Sequence, residues 1–273
     1  MIDGGFTLDV AIRVMTFLVG VQVIVSSLEH LYTWDRFADD GLLNWEVSKR
    51  FIRTGGPLAP AAERILRPPR FRLLVIARLL IAITISVMAL FGRVSWVLLL
   101  LLLTTHFGIV YRQMAGLSGA FQMQLVVVPG LLLATLFPDG SFVQTAAVLF
   151  IAAQAVLSYL IAGVSKPISP DWQTGSAILG VFSTEVWGDE RLYRLLQRFP
   201  QLNWVGAWLV IAFECLFPIV LFVDPQWAVV VFTTGILFHG FNAVFMGLNK
   251  FVIAFPATYP AVYYANQVVR GAL

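Results

Sequence analysis

Charge is what this chain lacks most. Only 12% of its 273 residues are Asp, Glu, Lys or Arg, against roughly a quarter in an ordinary soluble domain. Apolar residues make up 59%. A water-soluble fold of this length needs more polar surface than that to cover its core. Lipid must therefore be the solvent for most of the outside, and a soluble enzyme is excluded. Cysteine is all but missing. Cys215 stands alone, which rules out an intramolecular disulfide and any cysteine-based metal site, and it reads as a small packing residue. The three histidines, His30, His106 and His239, lie far apart in the chain, so no metal-ligand spacing exists. No phosphate-binding glycine loop and no nucleophile triad is present. The net charge of +3 is too small to point to nucleic acid. Residues 1–10 carry Asp3 and Asp9 but no Lys or Arg, which argues against a cleavable signal peptide. The apolar run that follows reads instead as a first span.

What the chain does have is long hydrophobic runs. A spanning helix needs about 20 mostly apolar residues. Such runs occupy Phe6–Tyr32, Arg72–Phe91, Trp96–Tyr111, Gly119–Phe137, Phe142–Val164, Val205–Val223, Trp227–Leu248 and Phe251–Val269. The third is short. The last is interrupted by Pro256 and Pro260, and without it seven spans remain. The expectation is an all-α polytopic transmembrane bundle of about eight spans, with residues 1–273 forming one domain and no separate extramembrane domain.

The connections differ in kind. Residues 35–71 and 165–204 are long and polar, whereas Gly92–Ser95, Pro138–Ser141 and Asp224–Gln226 are tight links that make neighbours antiparallel. Arg36, Lys49, Arg50, Arg53, Arg64, Arg67, Arg70 and Arg72 fall in or beside the first long connection. Arg112, Lys166, Arg191, Arg194, Arg198 and Lys250 fall in connections of the same parity, and the opposite parity holds only Arg93 and Arg270. By the positive-inside rule the crowded side, with both long loops, is cytoplasmic and both termini lie outside. Trp34, Trp96, Trp204 and Trp227 sit near span ends, where aromatic belts belong. Within the long loops, Leu42–Arg53 and Glu190–Phe199 read as amphipathic helices lying at the interface.

Ionisable residues inside hydrocarbon cost several kcal/mol and so mark functional positions. Arg13 has Asp9 one turn away as a local partner. Glu29 and Arg78 lie toward one side and suit an interhelical pair. His106 follows Thr104-Thr105 and suits interhelical hydrogen bonding. Glu214 and His239 lie deep in their spans, with Asn242 one turn from His239, and suit either a functional cleft or a structural network. Residues 163–175, GVSKPISPDWQTG, stand where an apolar helix stops, because Pro167 and Pro170 prevent its continuation. Lys166 would then be held at the membrane boundary, as an interfacial anchor or, if partly desolvated, as a base.

Three stretches together carry a resemblance. They are A-G-x-x-K-x-x-S-P-D-W-x-x-G at Ala162–Gly175, E-x-x-x-P at Glu214 and Pro218 with Asp224 following, and F-H-x-x-N at Phe238, His239 and Asn242 with Phe251 beyond. In order and spacing they resemble the horizontally transferred transmembrane (HTTM) domain family, which includes the membrane domain of vitamin-K-dependent γ-glutamyl carboxylase and its bacterial relatives. The resemblance covers most of the chain. It implies a bacterial plasma-membrane protein in which Lys166 is the base that deprotonates a vitamin K hydroquinone-like membrane quinol, with Glu214 and His239 as further catalytic residues. In the carboxylases oxygen then turns the quinol into a strongly basic intermediate, which takes a proton from a substrate glutamate before carbon dioxide adds. Asn242, Asp171, Trp172, Arg112 and His106 would bind ligand. Peptide modification or maturation is a second implied role, and a non-enzymatic assembly, binding or small-solute transport component is the rival.

The departures are specific. Where the carboxylases carry a histidine supporting the lysine, this chain has Tyr111-Arg112, and arginine is no general base. His106 is about a turn and a half earlier. The chain ends at Leu273, so the resemblance leaves the large substrate-binding domain of the carboxylases to a partner protein. Carboxylation is lumenal, whereas the charge distribution puts Lys166 toward the cytoplasm.

Overall fold

The computed structural model describes residues 6–38, 40–51, 59–113 and 118–272, and every regular element among them is helical. Six helices are long and apolar enough to cross a membrane: Leu8–Tyr32, Arg70–Leu90, Gly119–Leu136, Phe142–Ile168, Gln201–Leu221 and Pro225–Met246. The chain is thus an all-α membrane protein with six candidate spans. The two remaining expected spans differ for physical reasons. Trp96–Arg112 is apolar and has 17 residues, at the short end of what crosses hydrocarbon. Phe251–Val269 is divided by a 3-10 turn at Pro256–Thr258, because Pro256 has no N–H to continue the helical ladder.

The contacts group the chain into two compact units, one from Thr7 to Val148 and one comprising Phe6 and Leu149 onward. The first contains α1 (Leu8–Tyr32), a 3-10 turn at Trp34–Phe37, α2 (Trp45–Phe51), α3 (Ala59–Leu66), α4 (Arg70–Leu90), α5 (Trp96–Arg112) and α6 (Gly119–Leu136). Thr7 caps α1 by accepting from the Val10 N–H at 3.3 Å, satisfying one of the donors that a helix start leaves open. Gly20 lets α1 lie close to α4, since a Cβ there would come within 3.0 Å of the Ala82 carbonyl oxygen. Small residues at such contacts are how membrane helices pack. The described parts of the first long loop pack on this bundle through Phe37, Trp45 and Leu66, which meet Phe71, Val75, Ile109 and Phe121. Helix α2 lies inside the expected Leu42–Arg53 segment, whose residues 52 and 53 fall outside the described residues.

Arg78 is fully buried in this unit. It donates to Ser26 and Ser27 Oγ (3.4 and 3.3 Å), to Gln124 Oε1 (3.2 Å), and lies 3.4 Å from His106 Nδ1. Its partners are four neutral groups on three neighbouring helices, not the carboxylate of Glu29 expected from the sequence.

The second unit contains most of α7 (Phe142–Ser165), a 3-10 turn at Lys166–Ile168, α8 (Pro170–Thr174), α9 (Ser176–Phe182), α10 (Glu190–Arg198), and α11 (Gln201–Leu216) with its 3-10 extension Phe217–Leu221. It continues with α12 (Pro225–Met246), α13 (Phe251–Ala254) and α14 (Tyr259–Ala272). Helix α10 falls within the expected Glu190–Phe199 segment and is capped by Asp189, which accepts from the Leu192 N–H at 2.9 Å. The helix containing Pro218 tightens to 3-10 and leaves carbonyls open. Asn266 of α14 donates to two of them, Val220 O and Val223 O, at 2.8 Å each, so α14 is bound to the end of the α11 span although it is not itself one.

Candidate functional site in the second unit

Helix α7 stops at Ser165 because Pro167 cannot donate to the turn before it. Two residues earlier, Gly163 lets α7 meet α11 backbone to backbone. A Cβ at this position would lie 2.6 Å from the Cys215 nitrogen and 2.9 Å from the Glu214 carbonyl carbon. That close approach brings the Lys166 ammonium to 2.5 Å from Glu214 Oε2. Lys166 also donates to Ala162 O at 3.1 Å and stands over the Trp172 ring, 5.1 Å from its centroid. The pair is largely out of water, with side-chain exposures of 17% for Lys166 and 8% for Glu214.

The chain after Lys166 then turns back along α11. Gly175, in the left-handed region at φ 84°, is set so tightly on the start of α11 that a Cβ would lie 2.5 Å from the Trp204 nitrogen. Between the level of Trp204 and that of Glu214, α11 rises about 15 Å at 1.5 Å per residue. The segment from Lys166 to Gly175 thus accompanies α11 over that distance. The lysine expected at the membrane boundary is paired well inside the Gln201–Leu221 span. Its depth is set by the α7–α11 approach at Gly163 and not by where the apolar run ends.

Two turns before Lys166 on α7, Tyr159 starts a second polar chain. Its hydroxyl is 2.7 Å from His239 Nε2 on α12 and 2.8 Å from the Tyr259 hydroxyl on α14. Gly235, one turn before His239, makes room for Tyr259, whose hydroxyl a Cβ there would strike. Aromatic rings enclose the chain. Tyr159 stacks on Phe217 with centroids 3.9 Å apart, and His239 stacks on Phe255 at 4.7 Å. His239 is 3% exposed and its Nδ1 has no hydrogen-bond partner. Whichever tautomer the ring adopts, a buried donor or acceptor is left unmatched, at a cost of about 1–3 kcal/mol.

Between α11 and α12 lies an apolar cavity of about 590 Å³, lined among others by Leu209, Phe213, Leu216, Phe217, Thr234 and Phe238. Its size is within the range of small-molecule sites. Phe213 and Phe217 face this groove and also contact the Tyr159 ring, so one layer of rings separates the groove from the hydroxyl–imidazole chain.

Lys166, Glu214, His239 and Trp172 thus come together in one unit. Asp171, exposed on α8, accepts from Ser176 Oγ at 2.8 Å and shapes the turn. Asn242 is half-buried one turn beyond His239. His106 and Arg112 belong to the other unit. His106 is a partner of Arg78. Arg112 donates to Ser48 Oγ and to Leu43 O and has the rings of Phe37, Trp45 and Phe71 within 5.3 to 5.6 Å, a clamp on the first long loop. Tyr159 and Tyr259 were not anticipated. Tyr159 stands seven residues before Lys166, close to two helical turns, and that spacing was the available signal. Among the described residues, no three of His, Cys, Asp and Glu gather into a metal-binding group. No family model, no curated protein and no solved structure matches this chain.

Proposed function

We propose that this chain is an HTTM-type membrane protein whose Lys166–Glu214 pair exchanges protons with a lipid-soluble quinol. The observation that carries the reading is the 2.5 Å contact between the lysine of the first motif and the glutamate of the second. The helix that ends just before the lysine also bonds the histidine of the third motif through Tyr159. Three motifs distant in sequence supply two buried polar groups, Lys166–Glu214 and His239–Tyr159–Tyr259.

The residues fit a quinol on two counts. The groove is apolar and ring-lined, as a hydrophobic ring with a lipid tail requires, and His239 Nδ1 is a buried polar atom lacking a partner. Phe213, Phe217 and Phe238 would hold the ring, and a quinol oxygen would reach His239 only past the Phe213–Phe217 layer. The quinol supplies an acidic ring hydroxyl and reducing equivalents when bound. The chain's own part is proton movement. An ammonium is not a base, but passing its proton to Glu214 leaves an amine and a carboxylic acid, both neutral and both cheaper to bury than the ions. The amine then has a lone pair to offer, and the enclosing rings keep water from competing. On this reading a partner protein contributes the extramembrane substrate-binding domain.

One observation favours the non-enzymatic reading. The Lys166 ammonium is already engaged by Glu214, Ala162 O and the Trp172 ring, as a structural cation would be. The two readings separate in lipid nanodiscs supplied with vitamin K hydroquinone, oxygen and bicarbonate, with quinol consumption followed by chromatography. The wild type consumes quinol, and Lys166→Ala and Lys166→Arg abolish this while the protein stays folded, Lys166→Arg keeping the charge opposite Glu214. A fully active Lys166→Arg variant, or a wild type that consumes none, leaves Lys166 a structural cation.

A further inference from the structure

The segment that runs back along α11 is polar where hydrocarbon would be expected. Asp171, Thr174 and Ser176 are exposed, Ile168 is 78% exposed, and the stretch is a succession of short turns, not one helix. Its two ends lie against Glu214 and Trp204 of α11, so it spans about 15 Å of a membrane-crossing helix. Irregular backbone and exposed carboxylates do not face lipid; at membrane depth they occur where protein or water surrounds them. Among the described residues, nothing else in the second unit covers these side chains, which favours water. Broken helices with a charged side chain at the break are also where membrane proteins place midplane sites.

We infer that residues 166–176 form the wall of a water-filled entrance leading from the end of the molecule where α11 begins down to Lys166, and that a hydrophilic second substrate reaches the site by this route. The inference rests on the reading of Lys166–Glu214 as an acid–base pair. It adds a division of access: the apolar groove between α11 and α12 admits the lipid-soluble molecule, and the 166–176 segment admits the water-soluble one. Asp171 and Trp172 stand along the route, and Lys166 at its floor is 17% exposed in its side chain, the contact with water that a proton-exchanging group needs.

The test is thiol accessibility in membrane vesicles of each orientation. With Cys215→Ser as background, Ile168→Cys, Asp171→Cys and Thr174→Cys are treated with a membrane-impermeant maleimide. Ser183→Cys serves as the exposed-loop reference, and Leu209→Cys and Leu237→Cys as span references. The three entrance positions label as the loop reference does, from the same side. The span positions label at least about tenfold more slowly, because the reactive thiolate does not form in hydrocarbon. Silence at positions 168 and 171 in folded protein overturns the entrance. So does labelling of Leu209→Cys as fast as that of Thr174→Cys, which would put the first half of α11 in water. Failure of quinol consumption with this labelling pattern intact removes the proposed chemistry and leaves the entrance; consumption without labelling does the reverse.

Discussion

Gly163 of α7 lies against the backbone of Cys215 on α11, with no space for a methyl group between them. Everything at the Lys166–Glu214 pair depends on this approach, because the glutamate precedes Cys215 and the lysine lies three residues beyond the glycine. Gly163→Ala forces the helices apart. It should destabilise the protein by about 1–3 kcal/mol, the usual range for overpacking, and should lengthen the ion pair. Thermal unfolding followed by tryptophan fluorescence reads the first effect. The second appears as a smaller loss in Gly163→Ala when Glu214 is also replaced. An unchanged melting temperature would mean that the helices do not meet here.

The pair itself should behave as a coupled unit. Glu214→Gln leaves an ammonium in a mostly buried place, a change that costs about 3–5 kcal/mol where one partner of a buried pair is removed. Lys166→Met with Glu214→Leu removes both charges and should recover most of that loss, since apolar replacement of a buried pair is often neutral or better. A double-mutant cycle on unfolding midpoints checks this. Additive single losses would show that the two groups do not interact.

What was legible in the sequence was whatever hydrophobicity alone decides. Six of the expected spans coincide with six long apolar helices, give or take a few residues at each end. The carriers of the site, Lys166, Glu214 and His239, stood out because each is a polar group among apolar ones. What stayed hidden has a common cause. The stop of α7 is written in Pro167, but nothing local to residues 166–175 says that the chain then returns along α11. Tyr159 and Tyr259 read as aromatic packing until their hydroxyls meet. The partners of Arg78 are serines, a glutamine and a histidine, residue types that no charge-pairing argument selects. These features are pairings between distant helices, and periodicity within one helix carries no information about them.

Arg78 holds α1, α5 and α6 to α4 by spreading its two Nη groups over four acceptors. Lysine keeps the charge but has a single nitrogen, and the planar fork is what reaches the serines on one side and Gln124 on the other. Arg78→Lys should therefore strand buried acceptors at about 1–3 kcal/mol for each group left unmatched, lowering the unfolding midpoint as Arg78→Met does. A Lys variant as stable as the wild type would mean that charge alone is what the bundle needs there.

Outside the spans, Glu46 on α2 is held below the usual carboxylate range, first by its hydrogen bond from Lys49 and then by the charges of Lys49, Arg67 and Arg50. It ion-pairs with Lys49 and, at 3.6 Å, with Arg67 just after α3. A carboxyl depressed in the folded state favours folding above its unfolded value, and that contribution is lost as pH falls through the lower folded one. The contacts of Glu46 with Lys49 and Arg67 should therefore loosen only in acid. Titrating Glu46 by NMR in wild type and Lys49→Gln checks the cause: its midpoint should move up when Lys49 loses its charge, and no movement would assign the depression elsewhere.

The last relationship is the unequal standing of two tyrosines. The Tyr159 hydroxyl touches both His239 and Tyr259, whereas Tyr259 has Tyr159 as its hydrogen-bond partner. A tyrosine hydroxyl has one hydrogen, so the chain runs in one direction at a time. Either Tyr259 donates to Tyr159 and Tyr159 to the imidazole, or the imidazole N–H donates to Tyr159 and Tyr159 to Tyr259. Tyr159→Phe breaks both bonds and leaves His239 with two unmatched nitrogens. Tyr259→Phe breaks one and leaves the histidine bonded. The first substitution should cost about 1–3 kcal/mol more than the second, the penalty of a stranded buried group. It should also shift the His239 ring signals in a nitrogen-15 spectrum, which Tyr259→Phe should move far less. Equal losses and equal spectral changes would mean that the histidine takes its orientation from the stacked phenylalanines and not from Tyr159.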